Sequence, residues 1–456
     1  MPDRKYLLDD EKMQEFIANG FITIKVDLPP EFHEEIYRKT DEVFIKEGNP
    51  GNNVLPRIPE IQTVFDQPEV HGAFSSILGQ DHAMHIHRHC HFNKPNGPGG
   101  GWHKDSYWGY YKLRYHRNRW AMAFYYPQDV ELINGPTGVI PHTHCYMDRL
   151  EDPDDAGVSV CGEAGTIAIV HFDIWHRAMP NQVDKTRYMM KFQFTRMSEP
   201  TKPEWNHTDK AWNNTHVGDR HPFVWNSIWE WSRGSNANGH AGNVDALTRT
   251  LHDGDEHARL NAAYELAATG EPAVGPLCRA LKSEDDGVKL NAAYALGAIG
   301  EPAVPDLAAS LGHDDEKVRG HAVFALGDAG PAAVEAVSAI AHTLNDPSEW
   351  VRHHAAEALG TIAGNPDVSV PALANALNDD DDQVRYTAAY ALARFGTDGE
   401  SAIPALSEAL QDENRYTSGH AAVALQYIGT PDALNILLDH LNTARWCPIT
   451  TREDLY

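Results

Sequence analysis

The chain has 456 residues, of which 42% are hydrophobic and 23% are charged, and its formal net charge is −27. This length predicts about two or three domains. The negative charge repels phosphate backbones and anionic lipid surfaces, which argues against nucleic acid and membranes as partners.

Neither membrane insertion nor secretion is expected. No segment approaches the roughly 20 consecutive apolar residues that span a bilayer, and the N-terminus lacks the basic-then-apolar order of a secretory signal. The 5 cysteines are scattered without a CxxC pair. This usage is typical of unpaired thiols in a reducing compartment, so we expect a cytoplasmic protein.

Residues 1–200 contain short β-like segments separated by turns. A helical opening, DDEKMQEFIANG, leads into the strand FITIKV and a helix around PPEFHEEIYRKTDEVF. The later β-like segments are MHIHRHCHF, RWAMAFYYP, TGVIP, GTIAIVHF and RYMMKFQFTR. Many short strands at this spacing predict a jelly roll or a related barrel.

Residues 201–243 are rich in Trp, Asn and Gly. We expect Trp225, Ile228, Trp229 and Trp231 to form a helix that seals the barrel or docks the second half. The Gly-Ser-Asn stretch that follows has the composition of a linker.

Residues 244–440 repeat one unit. Six similar fragments, spaced by 30 or 33 residues, begin at Ala258, Val288, Val318, Val351, Val384 and Thr417. Each unit predicts two amphipathic helices, which cannot bury their apolar faces alone and therefore stack into a solenoid. The units resemble HEAT repeats, especially those named after phycobilisome lyases. Residues 441–456 form a C-terminal tail in this division.

The segment GGGWHKDSYWG places His103 and Asp105 two residues apart, so on a strand their side chains point the same way. One further neutral imidazole would complete the two-histidine, one-carboxylate set that binds non-haem iron(II). Downstream, VHFDIWHRAMPNQVDKTRYMMKFQF offers His171 and His176 as that imidazole. Arg187 could then bind a carboxylate of 2-oxoglutarate through two charged hydrogen bonds.

The order of these motifs resembles the phytanoyl-CoA dioxygenase family over about 200 residues. The matching segments are FIANGFITIKV, FNKPNGPGGGWHKD, NGPTGVIPHTH and GTIAIVHFDIWHRAMPN with its later Arg. The resemblance implies a double-stranded β-helix that uses iron(II), 2-oxoglutarate and O₂. It assigns the iron ligands to His103, Asp105 and His176 and the 2-oxoglutarate anchor to Arg187. Family members that halogenate replace the aspartate with a small residue, so Asp105 favours hydroxylation.

Further histidines and aromatic residues flank these motifs. His85, His87, His89 and His91 alternate along one strand, where they predict a polar wall of the active site, a second metal site or, by default, satisfied barrel histidines. The candidates for lining the active site are His89, His91, Trp108, Phe124 and His144.

The second helices of the repeats carry polar and aromatic residues three apart, as in the pair Asn261 and Tyr264. The other pairs are Asn291/Tyr294, His321/Phe324, His354/Glu357 and Thr387/Tyr390. They could form a ladder on the concave face that binds a protein partner, or they could be ordinary packing between repeats. The segment VRHHAAEALG is similar to the metal-binding repeats of deoxyhypusine hydroxylase, but the equivalent positions contain no His-Glu pair, which argues against a di-iron solenoid.

The sequence thus predicts an α+β two-domain protein, with a jelly-roll barrel followed by an all-α HEAT solenoid. The leading hypothesis is an iron(II)- and 2-oxoglutarate-dependent dioxygenase that hydroxylates a small organic substrate, while the solenoid caps the barrel, sets oligomeric state or binds a partner. One alternative is a hydroxylase of a protein- or carrier-bound substrate that the solenoid recognises. Another is a non-catalytic HEAT scaffold.

Overall fold

The structure, a computed structural model, describes residues 3–105, 113–147, 152–212, 221–235 and 239–443. The described residues before 213 belong to one compact unit, and those from 221 to 443 belong to a second. Residues 444–456, most of the expected tail, lie outside the described residues.

The first unit begins with helices that lie outside its sheets. The helices are α1 (Asp10–Asn19), α2 (Pro30–Glu47), α3 (Val54–Arg57), α4 (Glu60–Phe65), α5 (Pro68–Leu78) and α6 (Pro153–Ala156). The Asp9 side chain caps α1 by accepting a hydrogen bond from the Lys12 amide at 2.8 Å. Gly20 ends α1 at a φ of 78°, and a Cβ there would lie 2.6 Å from His144 Nδ1, so the position requires glycine on both grounds.

Two antiparallel sheets form the jelly roll. The strands are β1 (Phe21–Lys25), β2 (His82–Asn93), β3 (Trp120–Tyr125), β4 (Thr137–Val139), β5 (Val158–Val160), β6 (Thr166–His171), β7 (His176–Ala178) and β8 (Arg187–Arg196). The larger sheet has the order β1-β6-β3-β8-β2, and the smaller has the order β5-β4-β7. The barrel expected from the sequence is therefore confirmed.

Strand β8 is buried along its whole length and has two different faces. On one face, Phe192 packs against Phe65 with the rings tilted and their centroids 4.4 Å apart, and Phe194 stacks against Phe74 at 3.9 Å. These contacts join the large sheet to helices α4 and α5. The opposite face carries the polar side chains of the barrel interior, because successive strand residues alternate in direction.

The second unit is entirely helical where the structure describes it. Its helices are α7 (Pro222–Ser232), α8 (Val244–Asp253), α9 (Glu256–Thr269), α10 (Glu271–Ala280), α11 (Asp286–Ile299), α12 (Val304–Ser310), α13 (Glu316–Ala329), α14 (Val337–Thr343), α15 (Glu349–Ile362), α16 (Pro366–Ala376), α17 (Asp382–Ala393), α18 (Ile403–Ala409), α19 (Arg415–Ile428) and α20 (Pro431–Thr443). Each repeat contributes one odd-numbered helix from α9 to α19, and consecutive odd-numbered helices pack on one another. The HEAT solenoid is confirmed.

The tryptophan-rich helix expected from the sequence is α7, and it belongs to the second unit. It packs against α9, and Trp225 and Trp229 are buried. Just before it, His221 Nδ1 lies 2.9 Å from Asn261 Oδ1 of α9. The helix therefore closes the N-terminal end of the repeat array, much as a capping element does.

The acidic turns between the solenoid helices have two roles. Asp255, Asp285 and Asp381 cap the helices that follow them, since their carboxylates accept backbone N–H groups. Turn aspartates, including Asp285, also bind arginines of the preceding repeat. For example, Arg352 donates to Asp379 at 2.7 and 2.8 Å. The same bridge recurs as Arg259–Asp285, Arg319–Asp346 and Arg385–Asp412.

The polar and aromatic pairs of the repeats lie largely between helices. The members of these pairs that are buried are Tyr264, Asn291, Tyr294, His321, Phe324, His354 and Thr387. The rings of Tyr294 and Phe324 meet edge to face across neighbouring repeats at 5.9 Å. Packing between repeats, rather than an exposed ladder, therefore accounts for most of this pattern.

One described helical stretch, Glu316–Thr343, is long and apolar enough by composition to cross a membrane. It consists of α13 and α14 joined by a 3₁₀ turn, Gly330–Ala336. Because 61% of its most apolar window is buried within the protein, the stretch has the character of a packed repeat.

We expect Arg352→Met to lower the free energy of unfolding by about 2 kcal/mol, because it leaves the largely buried Asp379 carboxylate without its partner. The side chains of Arg352 and Asp379 are only 16% and 11% exposed. Urea unfolding followed by far-UV circular dichroism measures the loss.

Arg259→Met is the matched control, because its partner Asp285 is 48% exposed and water screens the pair. The control should lose less than about 1 kcal/mol. Equal losses in the two variants would show that burial does not set the strength of these bridges.

Candidate metal centre

The backbone brings His103 next to His176. The two residues form an isolated antiparallel bridge in which the His103 amide donates to His176 O at 3.0 Å and the His176 amide donates to His103 O at 2.9 Å. His176 begins β7, which pairs with β4 in the small sheet. The Gly-rich segment before His103 is thereby fixed to the edge of a strand, and the two rings lie 4.4 Å apart between centroids.

Both imidazoles are oriented by backbone carbonyls. Nδ1 of His103 lies 2.9 Å from Gly101 O, and Nδ1 of His176 lies 3.1 Å from Ile174 O. A carbonyl can only accept, so each Nδ1 carries the proton and each Nε2 presents a lone pair. Burial also lowers the pKa of His176 to about 4, so this ring is neutral at pH 7.

Asp105 lies between these imidazoles and a lysine. Its carboxylate oxygens lie 4.0 Å from His103 Nε2 and 3.6 Å from His176 Nε2. Lys191 Nζ of β8 donates to Asp105 Oδ2 at 2.7 Å, and both side chains are buried. Burial favours the neutral acid, but the charge of Lys191 and its hydrogen bond to the carboxylate outweigh burial and hold the pKa of Asp105 below its usual value.

These three residues fit a transition-metal ion. Their donor atoms lie within 4.8 Å of one another. Ligands bound to a common ion at about 2.1 Å lie up to about 4 Å apart, which includes both nitrogen–oxygen distances found here. Two neutral imidazoles and one carboxylate on one side of an ion form the set typical of non-haem iron(II) oxygenases.

Arg187, at the start of β8, is a buried cation beside the small sheet. It is 3% exposed, and its Nε donates to Gly135 O at 2.7 Å. Within the parts of the chain that the structure describes, no carboxylate forms an ion pair with its guanidinium. Burial lowers the pKa of Arg187, and the site therefore favours an anionic ligand that would restore the charge balance.

The other candidate lining residues occupy two places. His91 and His89 of β2 pair with Met189 and Lys191 of β8, so they share the face of Lys191. Phe124 of β3 also pairs with Lys191, and its ring lies 5.5 Å from that of His176.

His144 lies elsewhere, against α1, where its Nε2 is 3.0 Å from Ile17 O. Its ring is 4.8 Å from that of His171, the second imidazole offered by the sequence. His171 does not belong to the cluster of His103, Asp105 and His176. Trp108 lies outside the described residues.

Lys191 is the site residue that the sequence analysis missed. The sequence feature that could have identified it lies in RYMMKFQF, where a lysine interrupts an apolar strand four residues after Arg187. Alternation along the strand puts both cations on one face. A lysine at such a position requires a buried anion, and Asp105 supplies it.

Comparison with known proteins supports the two-part organisation. Residues 31–189 match phytanoyl-CoA dioxygenase (PhyH), and residues 244–327, 304–393 and 370–447 match HEAT repeats. No curated protein matches the chain significantly.

Several solved structures are similar to part of the chain. A non-heme monooxygenase, the ThoJ–nickel complex, is 18% identical, with 42% of this chain and 81% of that one covered and a TM-score of 0.34. The non-heme α-ketoglutarate-dependent carbocyclase SnoK from nogalamycin biosynthesis is 16% identical, with 43% and 88% covered and a TM-score of 0.35. AviO1 from Streptomyces viridochromogenes is 15% identical, with 43% and 96% covered and a TM-score of 0.34.

The barrel geometry and the motif order agree with the family match, and the helical second unit agrees with the repeat match. Residues 31–189 are therefore similar to the phytanoyl-CoA dioxygenase family, and the chain continues into a C-terminal array of HEAT repeats.

Proposed function

We propose that the protein is an iron(II)- and 2-oxoglutarate-dependent dioxygenase that hydroxylates a small organic substrate. The observation that carries the proposal is the cluster of His103, Asp105 and His176, whose donor atoms converge within 4.8 Å. The retained aspartate favours hydroxylation over halogenation, because a carboxylate occupies the position that a halide would need.

Four side chains of the proposed site bind the metal ion and the co-substrate. His103 Nε2, His176 Nε2 and the Asp105 carboxylate hold the ion on one side, which leaves its other positions for co-substrates. Arg187 binds the distal carboxylate of 2-oxoglutarate by charge-assisted hydrogen bonds. When bound, iron(II) with 2-oxoglutarate and O₂ supplies the oxidising power.

The chain itself contributes orientation and exclusion of water. The backbone carbonyls of Gly101 and Ile174 fix the tautomers of the two histidines. His176 and Arg187 are almost fully buried, whereas the His103 side chain is 52% exposed. We infer that substrate approaches from the side of His103 and that His89, His91 and Phe124 line the interior near it.

We further propose that the HEAT solenoid binds a protein partner and that the protein is cytoplasmic, as its free thiols favour. The alternative hypothesis, that the solenoid recognises a protein- or carrier-bound substrate, has less support. It rested on the polar and aromatic pairs of the repeats, and most of those residues are buried.

Anaerobic titration of metal-free protein with iron(II) and 2-oxoglutarate tests the site. We expect the weak visible metal-to-ligand charge-transfer band in the wild type and neither iron nor band in His176→Ala. Arg187→Met should retain iron but bind 2-oxoglutarate about 100-fold more weakly, since it loses about 3 kcal/mol of charged hydrogen bonding.

Lys185→Met is the control, because it removes an exposed cation two residues before Arg187 and should leave the titration unchanged. Folded protein with stoichiometric iron but no band would refute 2-oxoglutarate binding. Substrate screening would follow by succinate release, and incorporation of one oxygen atom into the product would establish hydroxylation.

Lys191→Met is expected to destabilise the metal-free protein by about 3 kcal/mol at pH 7, because it leaves the ionised Asp105 buried without its counter-charge. Zinc or iron(II) should then raise the midpoint of thermal unfolding more than in the wild type, since the ion replaces the lost positive charge. Differential scanning calorimetry with and without metal measures both effects.

The matched double variant, Lys191→Met with Asp105→Asn, removes both charges. It should recover much of the lost stability but show no response to metal at the barrel site. A double variant as unstable as the single one would indicate that Lys191 acts through packing alone.

A further inference from the structure

A second group of metal-ligand side chains lies within the solenoid, on α15. His353, His354 and Glu357 each place one donor atom within 4.8 Å of the others. Glu357 lies four residues after His353 and three after His354, so it shares a helical face with each histidine. Among the described residues, only this group and the barrel cluster bring three such side chains together.

His354 is the most unusual member of the group. Its side chain is fully buried, and neither ring nitrogen has a hydrogen-bond partner among the described residues. Its Nδ1 lies 3.4 Å from Glu357 Oε2, and the rings of Trp350 and Phe324 enclose it with centroids 5.3 and 5.9 Å away. A buried imidazole without hydrogen bonds is costly, so its position requires a compensating ligand.

The other two side chains complete the donor set. His353 is 2% exposed, and its Nδ1 contacts Thr387 Oγ1 of α17 at 3.0 Å, which orients the ring from the neighbouring repeat. Such a contact is the kind that fixes a metal-binding histidine. The Glu357 side chain is 15% exposed, so it gives the group a path to solvent.

Comparison among the repeats shows that this composition is specific to one unit. The residues equivalent to His354 are Asn261, Asn291, His321, Thr387 and His420. The residues equivalent to Glu357 are Tyr264, Tyr294, Phe324, Tyr390 and Val423. The other repeats therefore pack without a carboxylate here, and the repeat geometry itself does not require one.

We propose that His353, His354 and Glu357 bind a divalent transition-metal ion, with zinc as the ion that this donor set fits well. Imidazole and carboxylate ligands suit zinc, which accepts three protein ligands and one water molecule. The His354–Glu357 distance already falls within the roughly 4 Å between ligands of one ion, and His353 offers a donor atom within 4.8 Å of the other two residues.

The competing interpretation is a structural His354–Glu357 hydrogen bond without metal. Such a bond would satisfy one nitrogen of His354 and would leave the second nitrogen buried. It predicts no metal content and no response of stability to zinc or chelator. The two interpretations therefore differ in measurements that do not depend on oxygenase activity.

Zinc content per chain, measured by mass spectrometry after zinc exposure and desalting, tests the proposal in the full-length protein. We expect the wild type to hold one more equivalent of zinc than His354→Asn. This substitution installs the residue that two other repeats carry at the same position, so it should fold. His176→Ala should lose the barrel equivalent instead, which separates the two sites.

His321→Asn is the matched control, because it removes the equivalent histidine of the preceding repeat and should leave the zinc content unchanged. In the His176→Ala background, zinc should raise the midpoint of thermal unfolding, and adding His354→Asn should abolish that rise. A His354→Asn protein with the same zinc content as the wild type would overturn the proposal, whatever the barrel binds.

Discussion

The cost of burying polar and charged side chains governs this structure more than any single contact. A buried ion without a partner loses its hydration and gains nothing in return. Two buried ion pairs show how the chain offsets this cost. Lys191 pairs with Asp105 inside the barrel, and Arg352 pairs with Asp379 between repeats. In both places the two side chains are largely shielded from water, so the pair helps to fix the geometry of the elements that carry it.

Two of the buried groups that depart from that rule mark the candidate ligand sites. The Arg187 guanidinium has no carboxylate partner in the described part of the chain, and both nitrogens of His354 lack hydrogen bonds there. The chemistry of each group indicates what is missing. A cation requires an anion such as the carboxylate of a co-substrate, whereas a buried imidazole beside a glutamate requires hydrogen-bond partners or a metal ion.

Local patterns in the sequence predicted the architecture well, because both halves have strong periodicities. Repeats of 30 or 33 residues predict a solenoid, and alternating strands between turns predict a barrel. The pairing of Lys191 with Asp105 was not predictable, since it depends on two segments 86 residues apart meeting in the interior. Periodicity along one helix likewise predicted that Asn291 and Tyr294 share a face, but only the neighbouring repeat determines that the face is buried.

Strand β8 connects the stability of the barrel to its chemistry. One face packs Phe192 and Phe194 against the helices, and the other directs Arg187 and Lys191 into the interior. A slip of one residue in register would place the cations among aromatic rings and the rings in the polar interior. The aromatic packing thus fixes the register, and the register fixes the separation of the proposed 2-oxoglutarate anchor, Arg187, from Lys191 and the carboxylate that it binds. Substitutions in that aromatic layer should therefore alter co-substrate binding without contacting the site.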